Sequence, residues 1–229
     1  MSDRSKSVDQ EDSSSQAMAL VNKILTFAVT GGGPIKPAAE VAEEALRTHG
    51  DPEVAIDRLL GTHRRIVTAT GFASGFGGLP TMAVAIPTDI TVFYMNAARL
   101  SAAVAHIRGY DIESEEVRSA ILISLLGASA GGILGSAGAQ IGNKIAVAQL
   151  KRLPGTVLTQ INKAVGFRLL TKFGTKGSIN LVKVVPVVGG GVGAGFNAIT
   201  ITQIHKYSKK LFVPLEEQRD GDEHGVGQD

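Results

Sequence analysis

Hydrophobic and polar positions follow a helical period in the first third of the chain. In AAEVAEEALRTHG, Ala39, Ala42 and Leu46 recur at the three- and four-residue intervals of one helix face. Gly50 comes directly after the last periodic residue, where a glycine commonly ends a helix. The next segment, DPEVAIDRLLG, begins with an aspartate, a proline and a glutamate, an order that favours a helix N-terminus. The pattern predicts two short amphipathic helices in an acidic N-terminal third.

Two further helices are indicated in the middle of the chain. From Asp89, the segment DITVFYMNAARLSAAVAHIRG predicts a long helix that Gly109 ends. Ser114, followed by two glutamates, predicts the start of the next helix, which can continue to about Leu150 because no proline precedes Pro154. ILISLL and LVKVVPVV resemble strands but run into helical patterns, and a proline interrupts the second.

Three long segments, residues 66–88, 119–143 and 184–204, contain no Asp, Glu, Lys or Arg. As a helix, the second would span about 38 Å, more than the roughly 30 Å hydrocarbon core of a bilayer. The segments are only weakly hydrophobic, prolines interrupt the first, and the chain has no Trp for an interfacial belt. Two interpretations therefore stay open: an amphitropic or partly inserted helical protein, and a soluble bundle with close helix contacts.

Glycines recur at four-residue intervals within all three uncharged segments. Each glycine inside a helix costs roughly 1 kcal/mol relative to alanine, so another interaction must offset the loss. Small residues at every fourth position let a second helix approach closely. We predict an all-α fold, a glycine- and alanine-rich bundle of closely packed helices, with partial membrane insertion left open. The predicted packing glycines are Gly71, Gly75, Gly127, Gly131, Gly135, Gly138, Gly142, Gly189 and Gly193.

Charge divides the predicted domain into two parts. The net charge is only +2, yet residues 117–215 hold twelve basic residues and no Asp or Glu. A single domain over 17–215 thus has an acidic part, 17–116, and a basic part, between polar tails at 1–16 and 216–229 that we expect to be disordered. A basic part indicates an anionic partner, which could be lipid headgroups, nucleic acid or the protein's own acidic part.

Anionic lipid is the partner that the basic part suits best. Residues 156–183 are amphipathic, with basic side chains opposite aliphatic and aromatic ones, as in helices that lie on membranes. Nucleic acid is disfavoured because no binding motif occurs and few aromatic residues could stack on bases. A membrane protein or a second copy of the chain are further candidate partners. The predicted lipid contacts are Lys144, Lys151, Arg152, Lys163, Arg168, Lys172, Lys176 and Lys183.

The cellular location follows from what the composition excludes. Without cysteine there is neither a disulfide framework nor a thiolate metal site, which fits a reducing compartment. The polar start lacks the apolar region of a secretory signal. We predict a cytoplasmic protein, peripheral or partly inserted at the inner face of the cell membrane, and no metal or cofactor.

One polar constellation lies on the helix that starts at Asp89. Asp89, Asn96, Arg99 and His106, here called the polar line, fall within about 100° of one another around that helix. In one interpretation Asp89 caps the helix and the others face solvent. In the other, the line is buried and binds a headgroup or a partner, because polar groups in apolar surroundings need partners.

GASAG at residues 127–131 matches the nucleophile elbow of serine hydrolases. That motif needs a preceding strand, and an acid and a histidine after the serine. His205 could be the base for Ser129, but no Asp or Glu lies between them. We assign no catalytic residue, and a lipid-processing hydrolase that uses Ser129 or the polar line remains an alternative.

GGGVGA at residues 189–194 satisfies the G-x-G-x-x-A pattern of dinucleotide-binding sites. It carries little weight here, because Pro186 interrupts the strand that should precede it. It also leaves no room for a second βαβ unit before the polar tail.

GFGGLPTMAVAIPTDITVFYMNAARLSAAVAHIRGYD at 75–111 and VVPVVGGGVGAGFNAIT at 184–200 resemble the EcsC family, a bacterial group. The resemblance covers roughly residues 38–212. It implies a helical, membrane-associated protein of unassigned activity and supplies no catalytic residues. We therefore expect a non-enzymatic, amphitropic protein that binds anionic lipid or a membrane protein; a soluble bundle that binds a lipid or another apolar ligand is the first alternative.

Overall fold

The computed structural model describes four stretches of the 229-residue chain and a few isolated positions. At residues 70–76, 88–91 and 186–193 the description covers the backbone alone. The described residues are 21–32, 35–76, 88–126 and 186–215, with isolated positions at 15, 18, 19, 155, 156, 159, 160, 162 and 163.

Regular structure in these stretches is helical, which confirms the predicted all-α fold. Gly32 and Ile35 form an isolated bridge, and no strand occurs among the described residues. The first helix, at residues 21–30, was not predicted. The bounds are α1 at residues 21–30, α2 at Ala38–His49, α3 at Pro52–Phe76, α4 at Thr88–Ile107, α5 at Glu115–Leu126 and α6 at Pro186–Leu211.

The boundary between α2 and α3 lies where the sequence predicts it. Gly50 has a φ of +73°, and its N–H donates to Leu46 O at 2.7 Å, which ends α2. Asp51 Oδ1 then accepts a hydrogen bond from the N–H of Val54 at 2.9 Å and caps α3. Pro52 is the first residue of α3, where its missing N–H costs no hydrogen bond.

The prediction that the second helix is short was wrong. α3 continues through Gly61 for 25 residues and enters the first uncharged segment. A side chain at Gly61 would meet no atom within 4 Å, so this glycine disfavours the helix only through its intrinsic propensity, by about 1 kcal/mol. Burial of Ile56, Leu59 and Val67 on the opposite side of α3 offsets that loss.

The strand-like stretch ILISLL belongs to α5. Residues 119–126 are buried throughout, so this helix has no polar face and its sequence loses the amphipathic period that identifies a helix. The predicted continuation of this helix to about Leu150 lies outside the described residues, as do Ser129 and residues 156–183 apart from the isolated positions.

α4 lies at the centre of the described bundle, because it contacts α2, α3, α5 and α6. Its residues 100–105 are all buried. Small side chains on several sides of α4 let the neighbouring helices approach closely. The buried alanines of α4 are Ala97, Ala98, Ala102, Ala103 and Ala105.

α6 lies antiparallel to α3. Among the helix pairs whose contacts are described, these two helices have the most extensive contact. Lys209 Nζ lies 2.7 Å from Asp57 Oδ1 near one end of the pair. Further along, Asn197 Nδ2 donates to Val67 O at 3.0 Å. These two contacts pair rising residue numbers in α3 with falling residue numbers in α6. They therefore fix both the antiparallel direction and the register of the two helices.

This register brings two glycine-bearing stretches to the same level. Because both helices rise by the same length per residue, Gly71 of α3 lies level with Gly193 of α6, and Gly75 lies level with Gly189. These positions belong to the predicted packing glycines. The others, from Gly127 to Gly142, lie outside the described residues.

The segment after α6 is tied to the end of α4. Gly109 has a φ of +84°, which lets the chain turn directly after α4. Tyr110 Oη then donates to Val213 O at 2.6 Å, and its ring meets the edge of Phe212 at a centroid distance of 5.4 Å. This contact holds the C-terminal half of α6 against α4.

No described helix combines the length and the hydropathy that a membrane span requires.

Candidate functional site

The structure brings two members of the polar line together in the interior. Asn96 is buried, and its Nδ2 donates to Val92 O at 2.9 Å. Its Oδ1 accepts a hydrogen bond from Arg99 Nη2 at 2.8 Å. Asn96 therefore uses the α4 backbone to orient its carbonyl oxygen towards the guanidinium of Arg99.

The other two members of the polar line lie apart from this pair. His106 is near the end of α4, and its Nε2 lies 3.6 Å from Glu43 Oε1 of α2. Asp89 is in the first turn of α4, and its side chain lies outside the described residues. Along a helix, Asp89 and Arg99 are separated by about 15 Å, which is too far for their side chains to pair directly.

α3 contributes a buried histidine to the same region. His63 is 1% exposed, and its Nδ1 donates to Leu59 O at 2.9 Å. Burial is the main cause that lowers the pKa of His63 from 6.5 to about 4; the charge of Arg99 acts in the same direction, and the hydrogen bond to Leu59 O opposes it. α3, α4 and α6 contact one another, and the registers set by Ser208 with Ser101 and by Asn197 with Val67 place His63, Arg99 and His205 at neighbouring levels. His205 lies level with about residue 98 of α4, and His63 with about residue 201 of α6.

α6 contributes the second histidine. His205 Nε2 lies 3.4 Å from Asp57 Oδ1, and a carboxylate accepts only, so this nitrogen carries the proton. Burial lowers the pKa of His205 below its ordinary value, although the hydrogen bond that His205 donates to Asp57 acts in the opposite direction. His205 is therefore neutral at pH 7.

We call His63, Asn96, Arg99 and His205 the interior cluster. Burial lowers the pKa of Arg99, because a charged guanidinium loses hydration there. Among the described residues, no carboxylate forms a salt bridge with Arg99. Three buried nitrogens of the cluster have no hydrogen-bond partner: His63 Nε2, Arg99 Nε and His205 Nδ1.

Two of these three nitrogens can accept hydrogen bonds, and the third can donate one. In neutral His63 the proton is on Nδ1, so Nε2 offers a lone pair; in neutral His205 the proton is on Nε2, so Nδ1 offers one. Arg99 Nε always carries a hydrogen and donates. The part of the chain that is described holds no group of three metal-ligating side chains. The cluster thus combines one cationic donor with two acceptors.

His205 and Asp57 resemble the base and acid of a hydrolase in part. The nucleophile-elbow motif places its acid after the serine, whereas the acid beside His205 comes from α3, far upstream of Ser129. Within the described stretches, His205 Nδ1 has no partner, so no hydroxyl there is placed as a nucleophile. Ser129 itself lies outside those stretches.

An ion-pair network joins the acidic and basic parts at the ends of α3 and α6. Lys209 Nζ lies 2.7 Å from Asp57 Oδ1 and 3.4 Å from Glu53 Oε2, and Arg108 also pairs with Glu53. The hydrogen bond from Lys209 is the main cause that lowers the pKa of Asp57, and the same bond raises the pKa of Lys209. The carboxylates are largely exposed, so the network contributes little stability. It shows that the basic part is in contact with the protein's own acidic part at this point.

α6 also presents an exposed face that mixes apolar and basic side chains. Phe196 is 45% exposed and Ile199 is 62% exposed. Lys206 and Lys210 are exposed as well, and all four fall within about 80° around the helix. We call these four residues the outer face.

Two exposed arginines of α3 lie close to the level of the outer face. The register between α3 and α6 places Arg64 and Arg65 at the level of residues 199 and 200. From residue 58 to residue 88 the chain has no Asp or Glu, and α6 has none either. At this level of the α3–α6 pair, the exposed charged side chains of both helices are therefore all basic.

Most of the predicted lipid contacts lie outside the described residues, and Lys163 alone is described, as an exposed residue. His63, Asp57, Lys206 and Lys210 were not among the site residues that the sequence predicted. A signal for His63 was present, because Leu59 and Val67 at i−4 and i+4 place it in the middle of an apolar stripe. The contacts of Asp57 with α6 had no local signal.

The fold and these sites define an all-α bundle with a buried polar cluster and a basic, partly apolar outer surface. The family model of the EcsC protein family matches residues 38–213. The chain therefore belongs to the EcsC protein family. No significant match was found among curated proteins or among solved structures.

Proposed function

We propose that the protein binds peripherally to anionic lipid surfaces through the outer face of α6. The observation that carries this proposal is the exposure of Phe196 and Ile199 on the same helix face as Lys206 and Lys210. Proteins that lie on membranes insert apolar side chains at the headgroup boundary while basic side chains contact anionic headgroups.

The energetics of this face fit reversible binding. Each basic residue near an anionic surface contributes about 1 kcal/mol, and each buried methylene about 0.8 kcal/mol. Lys206, Lys210, Arg64 and Arg65 together with two apolar side chains would thus give several kcal/mol. The predicted lysines and arginines of 144–183 would add to this attraction. We place this interaction at the inner face of the cell membrane, where anionic lipids lie.

The glycines have a separate role in this proposal. Gly71 and Gly75 share a level with Gly193 and Gly189, so close packing of α3 and α6 there would keep the outer face rigid. A rigid helix face loses less conformational entropy when it binds.

The test is co-sedimentation of the full chain with vesicles of phosphatidylcholine, with and without phosphatidylglycerol. We expect binding that requires phosphatidylglycerol and weakens between about 0.05 M and 0.5 M salt, because exposed charges are screened. Lys206→Glu with Lys210→Glu should weaken partitioning at least about 30-fold at low salt, since two favourable charges are lost.

The matched control applies the same charge change elsewhere. Lys23→Glu with Arg47→Glu reverses two exposed charges on α1 and α2 and should change partitioning by less than about threefold. Equal losses in both double variants would show that net charge alone acts. Binding to pure phosphatidylcholine that equals binding to the anionic vesicles would refute the proposal.

A further inference from the structure

In the described part of the chain, the positive charge of Arg99 in the interior cluster has no negative charge beside it. This feature is independent of the outer face. Arg99 is a cation with a buried Nε, and its one described hydrogen bond goes to a neutral amide oxygen of Asn96. A partly buried charge without an opposite charge is strongly unfavourable in a folded protein. Asp57, which contacts His205 of the cluster, pairs with Lys209 and not with Arg99.

The two histidines add a second requirement. His63 is 1% exposed and His205 is 3% exposed, and each turns one nitrogen to the backbone or to Asp57. Their other nitrogens, His63 Nε2 and His205 Nδ1, are buried acceptors without a donor. A partner for the whole cluster must therefore accept hydrogen bonds from Arg99 and also donate to an imidazole.

We propose that the interior cluster binds a protonated phosphate group, with Arg99 as the charge partner of its oxygens and His63 or His205 as the acceptor for its hydroxyl. An ionised carboxylate and a sulfate both lack the hydroxyl at neutral pH. A metal ion would satisfy the imidazoles but is repelled by Arg99. Inorganic phosphate and the headgroup of phosphatidic acid both present this chemistry, in solution and in a membrane respectively.

The first experiment is isothermal titration calorimetry of the full chain with inorganic phosphate and, separately, with sulfate. We expect saturable binding of phosphate and at least tenfold weaker binding of sulfate, which has a similar size and charge but no hydroxyl. Arg99→Gln should weaken phosphate binding by at least about tenfold, because charge-assisted hydrogen bonds contribute about 1.5–3 kcal/mol. Arg47→Gln removes the same charge from an exposed position of α2 and should leave phosphate binding unchanged.

A measurement on the unmodified chain covers the case in which Arg99→Gln fails to fold. In ¹⁵N NMR spectra of the imidazoles, phosphate should shift at least one of His63 Nε2 and His205 Nδ1, whereas His49, which is exposed, should not respond. Equal effects of phosphate and sulfate, or no effect of either, would overturn the proposal; the second result would leave only water as the occupant of the cluster.

Vesicles distinguish the two sources of the phosphate. Stronger binding to phosphatidic acid than to phosphatidylglycerol at equal surface charge, lost in Arg99→Gln, would identify a lipid headgroup as the source. Calorimetric binding of inorganic phosphate without a preference for phosphatidic acid vesicles would identify soluble phosphate as the source. Lys206→Glu with Lys210→Glu should leave the calorimetric result unchanged, so this proposal and the outer-face proposal can fail separately.

Discussion

At the scale of single residues, burial decides the protonation state of His63. His63 lies in the apolar stripe of α3, and removal from water lowers its pKa to about 4. His106 is 32% exposed beside Glu43. The same residue type is thus a neutral interior acceptor in one helix and a half-exposed group at a helix end in another, and this difference follows from position alone.

The depressed pKa of His63 predicts a pH dependence of folding stability. The unfolded chain binds a proton at this residue near pH 6.5, whereas the folded chain does so only near pH 4. Stability from His63 is therefore complete above pH 6.5 and is lost as the pH falls from 6.5 towards 4. Between pH 7.5 and 4.5, we expect the free energy of unfolding to fall by about 2–3 kcal/mol more in the natural chain than in His63→Gln.

Urea denaturation at the two pH values measures this difference. His205 and the carboxylates contribute equally to the pH dependence of unfolding in both proteins, so their contributions cancel in the comparison. Asp57, whose pKa is lowered, acts only below its ordinary value of 3.8 and stays outside this window. Parallel pH profiles for the two proteins would contradict the assignment of a buried, neutral His63.

At the scale of helices, a chain of buried hydroxyls connects α4, α5 and α6. Ser124 Oγ donates to Ile121 O at 2.6 Å, so its oxygen accepts from Ser101 Oγ at 2.7 Å. Ser101 Oγ accepts in turn from Ser208 Oγ at 3.0 Å. Each hydroxyl has one hydrogen, so Ser101 donates to Ser124, whereas Ser208 Oγ shares its hydrogen between Ser101 Oγ and Ile204 O, which lies at 2.9 Å. Every member is buried, so the chain orients α5 and α6 against α4.

This hydroxyl chain predicts non-additive effects of mutation. Ser101→Ala removes the middle member and should lower the free energy of unfolding by about 1–2 kcal/mol. Ser208→Ala should cost about 1 kcal/mol alone and at least about 0.5 kcal/mol less when Ser101 is already alanine. Thermal and urea unfolding of the four proteins of the cycle give the coupling energy.

An exposed hydroxyl provides the control for that cycle. Thr48 Oγ1 donates to Glu44 O of its own helix at 2.7 Å and contacts no other helix through this bond. Thr48→Ala combined with Ser208→Ala should be additive. An additive result for Ser101 and Ser208 as well would show that their hydroxyls are energetically independent.

At the scale of the whole molecule, the acidic and basic parts contact each other on one surface. On another surface, the basic part is exposed without an acidic neighbour in the same helix. Lys209 contacts Asp57 and Glu53, where the basic part is neutralised by the acidic part. Lys206 and Lys210, on either side of Lys209 in the sequence, are exposed on the outer face. The internal ion pairs thus leave the outer basic surface available for an anionic partner.

The apolar contribution of the outer face can be measured separately from its charge. Ile199 is 62% exposed, so Ile199→Ser should change the free energy of unfolding by less than about 0.5 kcal/mol. It should weaken binding to phosphatidylglycerol vesicles by about 5–30-fold, because about 1–2 kcal/mol of apolar burial in the headgroup region is lost. Co-sedimentation and thermal unfolding report the two effects.

Val54→Ser is the matched control, since Val54 is 44% exposed but follows Glu53 at the acidic start of α3. We expect vesicle binding of this variant to equal that of the natural chain. A loss in Val54→Ser as large as that in Ile199→Ser would mean that the outer face has no special contact with lipid.

The local elements were predictable because their causes are local. Gly50, Asp51 and Gly109 mark helix ends through backbone conformation and capping, which depend on a few neighbouring residues. The helix predicted from Ser114 likewise includes ILISLL, although that stretch alone resembles a strand. The extension of α3 beyond Gly61 was not predictable in this way, because the burial of α3 against other helices outweighed the local signal.

The sequence by itself determined the helical class, the family resemblance, the helix ends and the division of charge, because composition and short-range patterns carry that information. Only the tertiary structure decided which polar residues meet. Asn96 and Arg99 are neighbours on one helix, but His63 and His205 join them through the packing of α3 and α6 on α4. The register of that packing depends on contacts between residues such as Asn197 and Val67, which are far apart in the chain.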